Sequence, residues 1–199
     1  MSPTAELAPA APAGARQRVL AAADRLFYER GIHSVGVNEI VRCAGVAKTS
    51  MYLHFDSKDE LVATYLQARV DGYRAQWEEL LAREEMADPV ALLDAVFDVL
   101  HAFVAGEGFR GCPFVNAAAE LPELEHPARG PIDEYRVYVR DRLLFQVAER
   151  AGAPEPAALA EKLQLLYDAA LAGSVLDVSG APIERARETA QLLLAEAVR

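Results

Sequence analysis

Between positions 48 and 54 the chain crowds together Lys48, Thr49, Ser50, Tyr52 and His54. An ammonium, two hydroxyls, a phenol and an imidazole at that density can donate to phosphate oxygens and pair with base edges. The chain has only three lysines, and two of them, Lys48 and Lys58, bracket this stretch. Arg42 lies just before it and Leu53 within it. Covalent or acid–base catalysis finds no support: the sequence contains no nucleophile–base set, no P-loop and no GxGxxG run. The expected nucleic-acid contact set is Arg42, Lys48, Thr49, Ser50, Tyr52, Leu53, His54 and Lys58.

These side chains need elements to hold them, and the stretch from Val37 to Leu61 supplies them. Ile40, Val41 and Ala44 set apolar groups on one side of a helix at 3/4 spacing. Gly45 then supplies the left-handed residue that ends it. Val46 plugs the joint, and a second short helix is expected from Ala47 to His54. Met51 and Phe55, four apart, face inward and anchor it. Two helices with a glycine-containing turn form a helix-turn-helix, although a short helical pair of this kind also occurs as plain scaffold in all-α proteins. Ser57 and Glu60 spell a capping box, so a further helix begins at Ser57. The N–H groups at that start, with Lys58 beside them, suit a phosphate.

The run AGVAKTSMYLHFDSKDEL resembles the signature of the TetR family of bacterial transcriptional regulators, roughly A-G-V-S-x-x-x-x-Y-x-H-F-x-x-K-x-x-L. Ala44, Gly45, Val46, Tyr52, His54, Phe55, Lys58 and Leu61 match it in register. The resemblance is close over about residues 16 to 66. Gly36 stands where the family often has a Ser or Thr cap, and Ala47 where it often has Ser. Gly caps nearly as well as Thr, while Ala costs about 1 kcal/mol, which predicts a slightly weaker recognition helix. The resemblance implies a homodimer on a palindromic operator in double-stranded DNA, with the second helix of the motif in a major groove. Lys48, Thr49 and Ser50 would then sit nearest base edges, and Tyr52, His54 and Lys58 would hold phosphates. It also implies a body with a ligand cavity, and dimerisation through the last two helices as a four-helix bundle.

Composition allows a real core: 199 residues, 52% of them hydrophobic. No apolar run approaches the ~20 residues of a membrane span. The N-terminal stretch lacks the basic start and apolar region of a secretory signal. Two cysteines are too few for a disulfide framework, and no Cys/His set has zinc spacing, so a cytoplasmic protein without metal or cofactor is expected. A net charge of −10 argues superficially against nucleic acid. Its distribution reverses that: residues 15–58 carry seven basic and four acidic side chains, a net +3, and the remainder carries −13. An acidic remainder repels DNA and leaves the N-terminal end as the contact surface.

Along the chain, residues 1–13 are Ala/Pro-rich and read as a disordered arm. A first helix follows from Gly14 to Arg30 and is stopped by Gly31. The helix from Ser57 to about Arg83 exceeds what the motif needs and reads as a rod into the body. Asp88 caps a helix to Ala105, and Cys112-Pro113 opens a short one that ends before Pro122. Further helices span about Pro131–Arg150, Pro156–Val178 and Pro182–Val198. No stretch has the alternation of strands. The reading is all-α with about nine helices: a helix-turn-helix DNA-binding domain over 14–56 and a ligand-binding and dimerisation domain over 57–199.

In the body, Tyr73, Trp77, Phe97, Phe103, Phe109, Phe114, Tyr135 and Tyr138 form aromatic stripes that read as core. The cavity implied by the resemblance would draw on Tyr73, Trp77, Phe97, Phe114, Tyr135 and Tyr138, with His101, Asn116, Glu120 and Arg136 as polar candidates. Cys112, near Arg110 at a helix start, should have a lowered pKa and offers a thiol-responsive alternative. Cys43 reads as packing within the head. Glu120, Glu123, Glu125 and His126 form an acidic solvated loop rather than a metal site. Leu159, Leu163, Leu166, Tyr167, Ala170 and Leu171 stripe one terminal helix, and Ile183, Ala186, Ala190, Leu193, Leu194 and Ala197 the other. The small residues Ala169, Ala170, Ala172 and Gly173 allow close approach of helices. The expected function is a ligand-responsive repressor released by a small apolar or aromatic molecule. An all-α ligand carrier or enzyme with a vestigial head is the alternative.

Overall fold

The computed structural model describes residues 14–197. The expected arm, residues 1–13, and the expected last residue of the final helix, Val198, lie outside the described residues. Among the described residues all regular structure is helical. The head comprises α1 (Ala15–Arg30), α2 (Val37–Ala44) and α3 (Lys48–Tyr52). The rod is α4 (Lys58–Leu81), followed by a 3₁₀ turn at Glu84–Ala87. The body holds α5 (Pro89–Ala105), α6 (Pro113–Glu120), α7 (residues 129–150), α8 (Pro156–Leu176) and α9 (Ala181–Ala197).

Local chemistry sets most boundaries. Gly45 takes φ 63 to end α2, a left-handed conformation that costs a side-chain-bearing residue more. The Ser57 Oγ accepts the Glu60 N–H at 3.0 Å, half of the expected capping box. The reciprocal half is displaced by one residue: the Glu60 carboxylate accepts from Asp56 N–H instead of Ser57. The Asp88 carboxylate accepts from Val90 N–H ahead of Pro89 at the first helical position. The helix expected over 131–150 forms as one rod, but Tyr138–Leu144 is wound as a π-helix between two α segments. That wider turn changes which side chains of α7 share a face.

The core is continuous from head to body. Val19, Ala23, Ile40, Met51 and Phe55 fill the head, and α4 adds Leu61, Val62, Tyr65 and Leu66 against it. Further along, α4 buries Trp77 and Leu80 in the body. It packs on α1 at one end and on α7 at the other, as expected of a rod. The helices α8 and α9 lie along each other, α9 also packs on α5, and α8 on α7. Arg187–Asp98 and Gln191–Asp94 hydrogen bonds seat α9 on α5.

Candidate nucleic-acid interface and body cavity

In the head, Met51 is fully buried and Phe55 nearly so, the anchoring that their spacing predicted. The amides of His54 and Phe55 both donate to Met51 O, at 2.9 and 3.0 Å. This turn ends α3 at Tyr52, two residues earlier than expected, and swings Phe55 inward. Ala47 provides no side-chain cap. Lys48, Thr49, Tyr52, Leu53 and His54 are exposed and Ser50 is half-buried, so the five-residue helix turns its polar side outward. Leu53 is 82% exposed, an apolar group with no covering neighbour in the subunit. Arg42, on α2, is also exposed, with Glu39 3.7 Å away. Arg16 and Arg18 stand exposed near the start of α1, Arg16 over the Phe55 ring.

Lys58 departs from expectation. Its ammonium donates to Ile32 O at 2.6 Å and lies 5.9 Å from the Phe27 ring centroid. Desolvation lowers its pKa. It ties α4 to the end of α1 instead of standing free for a phosphate. The N-terminus of α4 is answered from within by Asp59 and Glu60 in its first turn, which opposes an anion there. Cys43 is exposed, not packed, and accepts a contact from Arg25 at 2.7 Å. It falls on α2 beside Arg42, off the buried side made by Ile40, Val41 and Ala44.

Two hydrogen-bonded clasps join head to body, and α6 with its leading loop carries both. The Tyr28 hydroxyl donates to Gly111 O at 3.1 Å and accepts from Arg110 N–H at 3.0 Å. The Arg110 guanidinium donates to Tyr28 O at 3.0 Å. Asn116 Nδ2 donates to Arg110 O at 2.9 Å. The Glu120 carboxylate accepts His33 N–H at 2.8 Å, and the His33 ring meets Glu120 O. Gly31, at φ 88, leaves room for this carboxylate, which a Cβ would meet at 2.9 Å. Asn116 and Glu120, expected in the cavity, therefore belong to this junction. His126 approaches Asp59 at 3.5 Å, a separate contact between the α6–α7 loop and the rod.

Two adjoining spaces lie around Cys112, Tyr135 and Tyr167 in the body. An inner chamber of about 20 Å³ is lined by Tyr73, Trp77, Val99, Leu100, Phe103, Cys112, Pro113, Tyr135, Tyr167 and Leu171. A cleft of about 250 Å³ lies between α6, α7 and α8, with Phe114, Ile132, Val139 and Gln164 among its walls and Arg129, Arg136, Asp133 and Asp168 at its charged positions. Cys112, Tyr135 and Tyr167 border both spaces. The hydroxyls of Tyr135 and Tyr167 meet at 2.7 Å. Tyr135 stacks on Phe114 at 4.1 Å with rings 15° apart. Burial raises the pKa of Tyr135 and Tyr167, so both stay neutral phenols.

Of the eleven residues expected at a ligand site, Tyr73, Trp77, Cys112, Phe114, Tyr135 and Arg136 do line these spaces. Phe97 is buried core outside both. His101 is exposed, with its ring against Gly180 at the α8–α9 turn. Tyr138 lies on the other side of α7, donating to Glu78 at 3.0 Å. Cys112 does cap α6, but burial outweighs the helix terminus and pushes its thiol up to about 11. Cys112 is therefore not the low-pKa thiol that its place at a helix start suggested. From the sequence Tyr167 reads as part of a helical stripe, and Gln164 and Asp168 carry no signal of a site. The pairing of α8 with α7 across the cleft, which identifies them, has no local sequence signal.

The terminal helices turn their predicted stripes inward. Leu159, Leu163, Tyr167, Ala170 and Leu171 of α8, and Ile183, Ala186, Ala190 and Leu194 of α9, are buried within the subunit. On the outside, Leu165 is 70% and Leu192 71% exposed, and Ala169, Ala172 and Leu176 are exposed beside them.

Among the described residues, an all-helical fold with an outward-facing polar helix after a glycine turn has the arrangement of a helix-turn-helix. Residues 19–65 match the family described as bacterial regulatory proteins, tetR family. The fold superposes on a TetR-family transcriptional regulator from Streptomyces coelicolor with TM-score 0.85 and 30% identity, covering 93% of this chain and 96% of that one. The chain belongs to the TetR family of transcriptional regulators. It is 28% identical to the Escherichia coli transcriptional repressor NemR over 119 residues, 60% of each chain, and NemR in its reduced form superposes with TM-score 0.78. Over 57 residues it is 46% identical to the transcriptional activator FasR of Mycolicibacterium smegmatis, covering 29% of this chain and 26% of FasR. The matches thus span less than two thirds of these two relatives' sequences.

Proposed function

We propose that the chain is a homodimeric repressor that binds a palindromic operator and is released by a small, largely aromatic molecule held in the body. In this reading residues 14–56 bind DNA and residues 57–199 hold the effector and the partner subunit. The observation that carries it is the position of α6. Phe114 of that helix and Cys112 at its cap border the body spaces, while Glu120 and the adjoining Arg110, braced by Asn116, hold the head. A ligand that shifts α6 thereby acts on head placement, and two heads at altered spacing no longer fit two half-sites. The rod α4 offers a second route, because Trp77 borders the inner chamber and the same helix begins at the head. Exposed Leu165, Ala169, Ala172 and Leu176 on α8, with Leu192 on α9, supply an apolar face for pairing with a second copy. Lys48, Thr49 and Ser50 approach base edges, and Tyr52 and His54 hold phosphates.

The test is operator binding by the full chain, measured by fluorescence anisotropy against salt, on DNA flanking its own coding region. Expected are sequence-selective binding by a dimer and release on adding an aromatic effector. Binding of all sequences alike, or of none, rejects the regulator reading and favours a ligand carrier.

A further inference from the structure

Trp77 is the only tryptophan in the chain, is 1% exposed and lines the inner chamber. Its indole N–H is buried and has no hydrogen-bond partner among the described residues. Buried donors are nearly always paired, so one beside a chamber calls for an acceptor from elsewhere. The Tyr135–Tyr167 hydroxyl pair adds to this. One proton serves their mutual bond at 2.7 Å, which leaves one to donate. The chamber wall carries no charged side chain. A cation there would find no counter-charge, and a carboxylate would lose its hydration without a cation to replace it. In the adjoining cleft two arginines, Arg129 and Arg136, equal in number two aspartates, Asp133 and Asp168, so its wall carries no net charge, and the buried Arg129 Nε is a further donor without a partner among the described residues.

We propose that cleft and chamber are two ends of one effector site divided by the Tyr135–Tyr167 pair, and that the effector is an uncharged, flat, two-ring aromatic ketone or a close analogue whose carbonyl oxygen takes the Trp77 indole N–H. This rests on the effector-binding reading above. Size agrees: the cleft holds about 250 Å³, against roughly 150 Å³ in a cavity that binds benzene. Turning Tyr135 off Phe114 breaks the hydroxyl pair and joins the two spaces. A flat ligand ring then takes over the stacking that Phe114 loses.

The test compares acetylnaphthalene, ethylnaphthalene and naphthoate binding to the full chain by titration calorimetry. The first two have nearly the same shape and differ in the carbonyl oxygen. Acetylnaphthalene should bind about tenfold tighter than ethylnaphthalene, the usual scale for satisfying a buried donor, and naphthoate weakest. Trp77→Phe should bring ketone and hydrocarbon to within about twofold of each other. Equal affinities in the unaltered protein, a preference that survives Trp77→Phe, or tightest binding by naphthoate overturns the proposal. The first comparison needs no variant, so a folding defect in Trp77→Phe cannot rescue it. Binding of both neutral compounds without preference leaves the effector site standing and removes only the ketone assignment. Binding of none of the three removes both.

Discussion

Tyr28→Phe isolates the junction between head and body. The hydroxyl bridges two backbone groups of the loop before α6, Gly111 O at 3.1 Å and Arg110 N–H at 3.0 Å. The ring itself keeps its place, because the Arg69 guanidinium lies 4.8 Å from its centroid and a phenylalanine ring preserves that contact. The substitution therefore removes two hydrogen bonds and little else. Each is worth about 1 kcal/mol net, and a buried partner left unmade costs about 1–3 kcal/mol. Arg110 is exposed, so water replaces its share, and the expected loss is about 1–2 kcal/mol. For a chain of this length each kcal/mol lowers Tm by about 2–4 °C, which calorimetry resolves. If the junction also transmits the effector signal, the loss appears in the coupling. The effector-induced fall in operator affinity then shrinks by up to about five- to thirtyfold, the same 1–2 kcal/mol expressed as a ratio. Anisotropy titrations with and without acetylnaphthalene measure it. A lowered Tm with undiminished release would refute transmission through α6 and leave α4 as the route. An unchanged Tm would refute the energetic assignment itself.

Three further outcomes follow from the same geometry. Tyr52→Phe and His54→Ala should weaken binding to all DNA sequences alike, whereas Thr49→Ala or Ser50→Ala should alter preference by about 1–3 kcal/mol at a base pair; competition titrations on a randomised operator separate these, and Lys58→Ala should lower head stability more than DNA affinity. Leu165→Glu, at an exposed position of α8, should give monomers by light scattering without loss of helicity, while Leu193→Glu strikes a half-buried position and should destabilise the subunit itself. The Cys112 thiol, raised by burial to about 11, stays protonated in the folded chain while an unfolded thiol ionises near 9. Folding stability should therefore fall with rising pH between those values, the Cys112 share being about 1.4 kcal/mol per pH unit; Cys112→Ala should reduce the slope by that share, leaving the part that the buried tyrosines add above about pH 10, and an identical slope in both proteins contradicts the burial.

What could be read from the sequence was what local chemistry decides. Gly45, the Ser57 cap, Pro89 and Pro113 each fix a helix end through their own backbone or side chain. Met51 and Phe55 point inward because four-residue spacing leaves them one face. The rest depended on which element each face meets. The Lys58 side chain carries its ammonium on a flexible stem of four methylenes, and whether it reaches solvent or Ile32 O is settled by the end of α1, 26 residues earlier. Cys112 sits at a helix start as expected, but burial, which no spacing reveals, outweighs the helix terminus. Tyr135 and Tyr138 lie three apart and would share an α-helical face. They part because different elements flank α7, α8 offering Tyr167 to one and α4 offering Glu78 to the other. Asn116 and Glu120 share α6 with Phe114 yet face the head, since α6 packs between the two.

Footprinting of the full chain on the DNA flanking its own coding region, repeated in the presence of acetylnaphthalene, tests the central claim most directly. The account predicts two protected half-sites related by a two-fold axis, their centres about one helical turn or a multiple of it apart, and loss of protection when the effector is added. A single protected half-site, or salt-sensitive binding that protects no defined sequence, would contradict it.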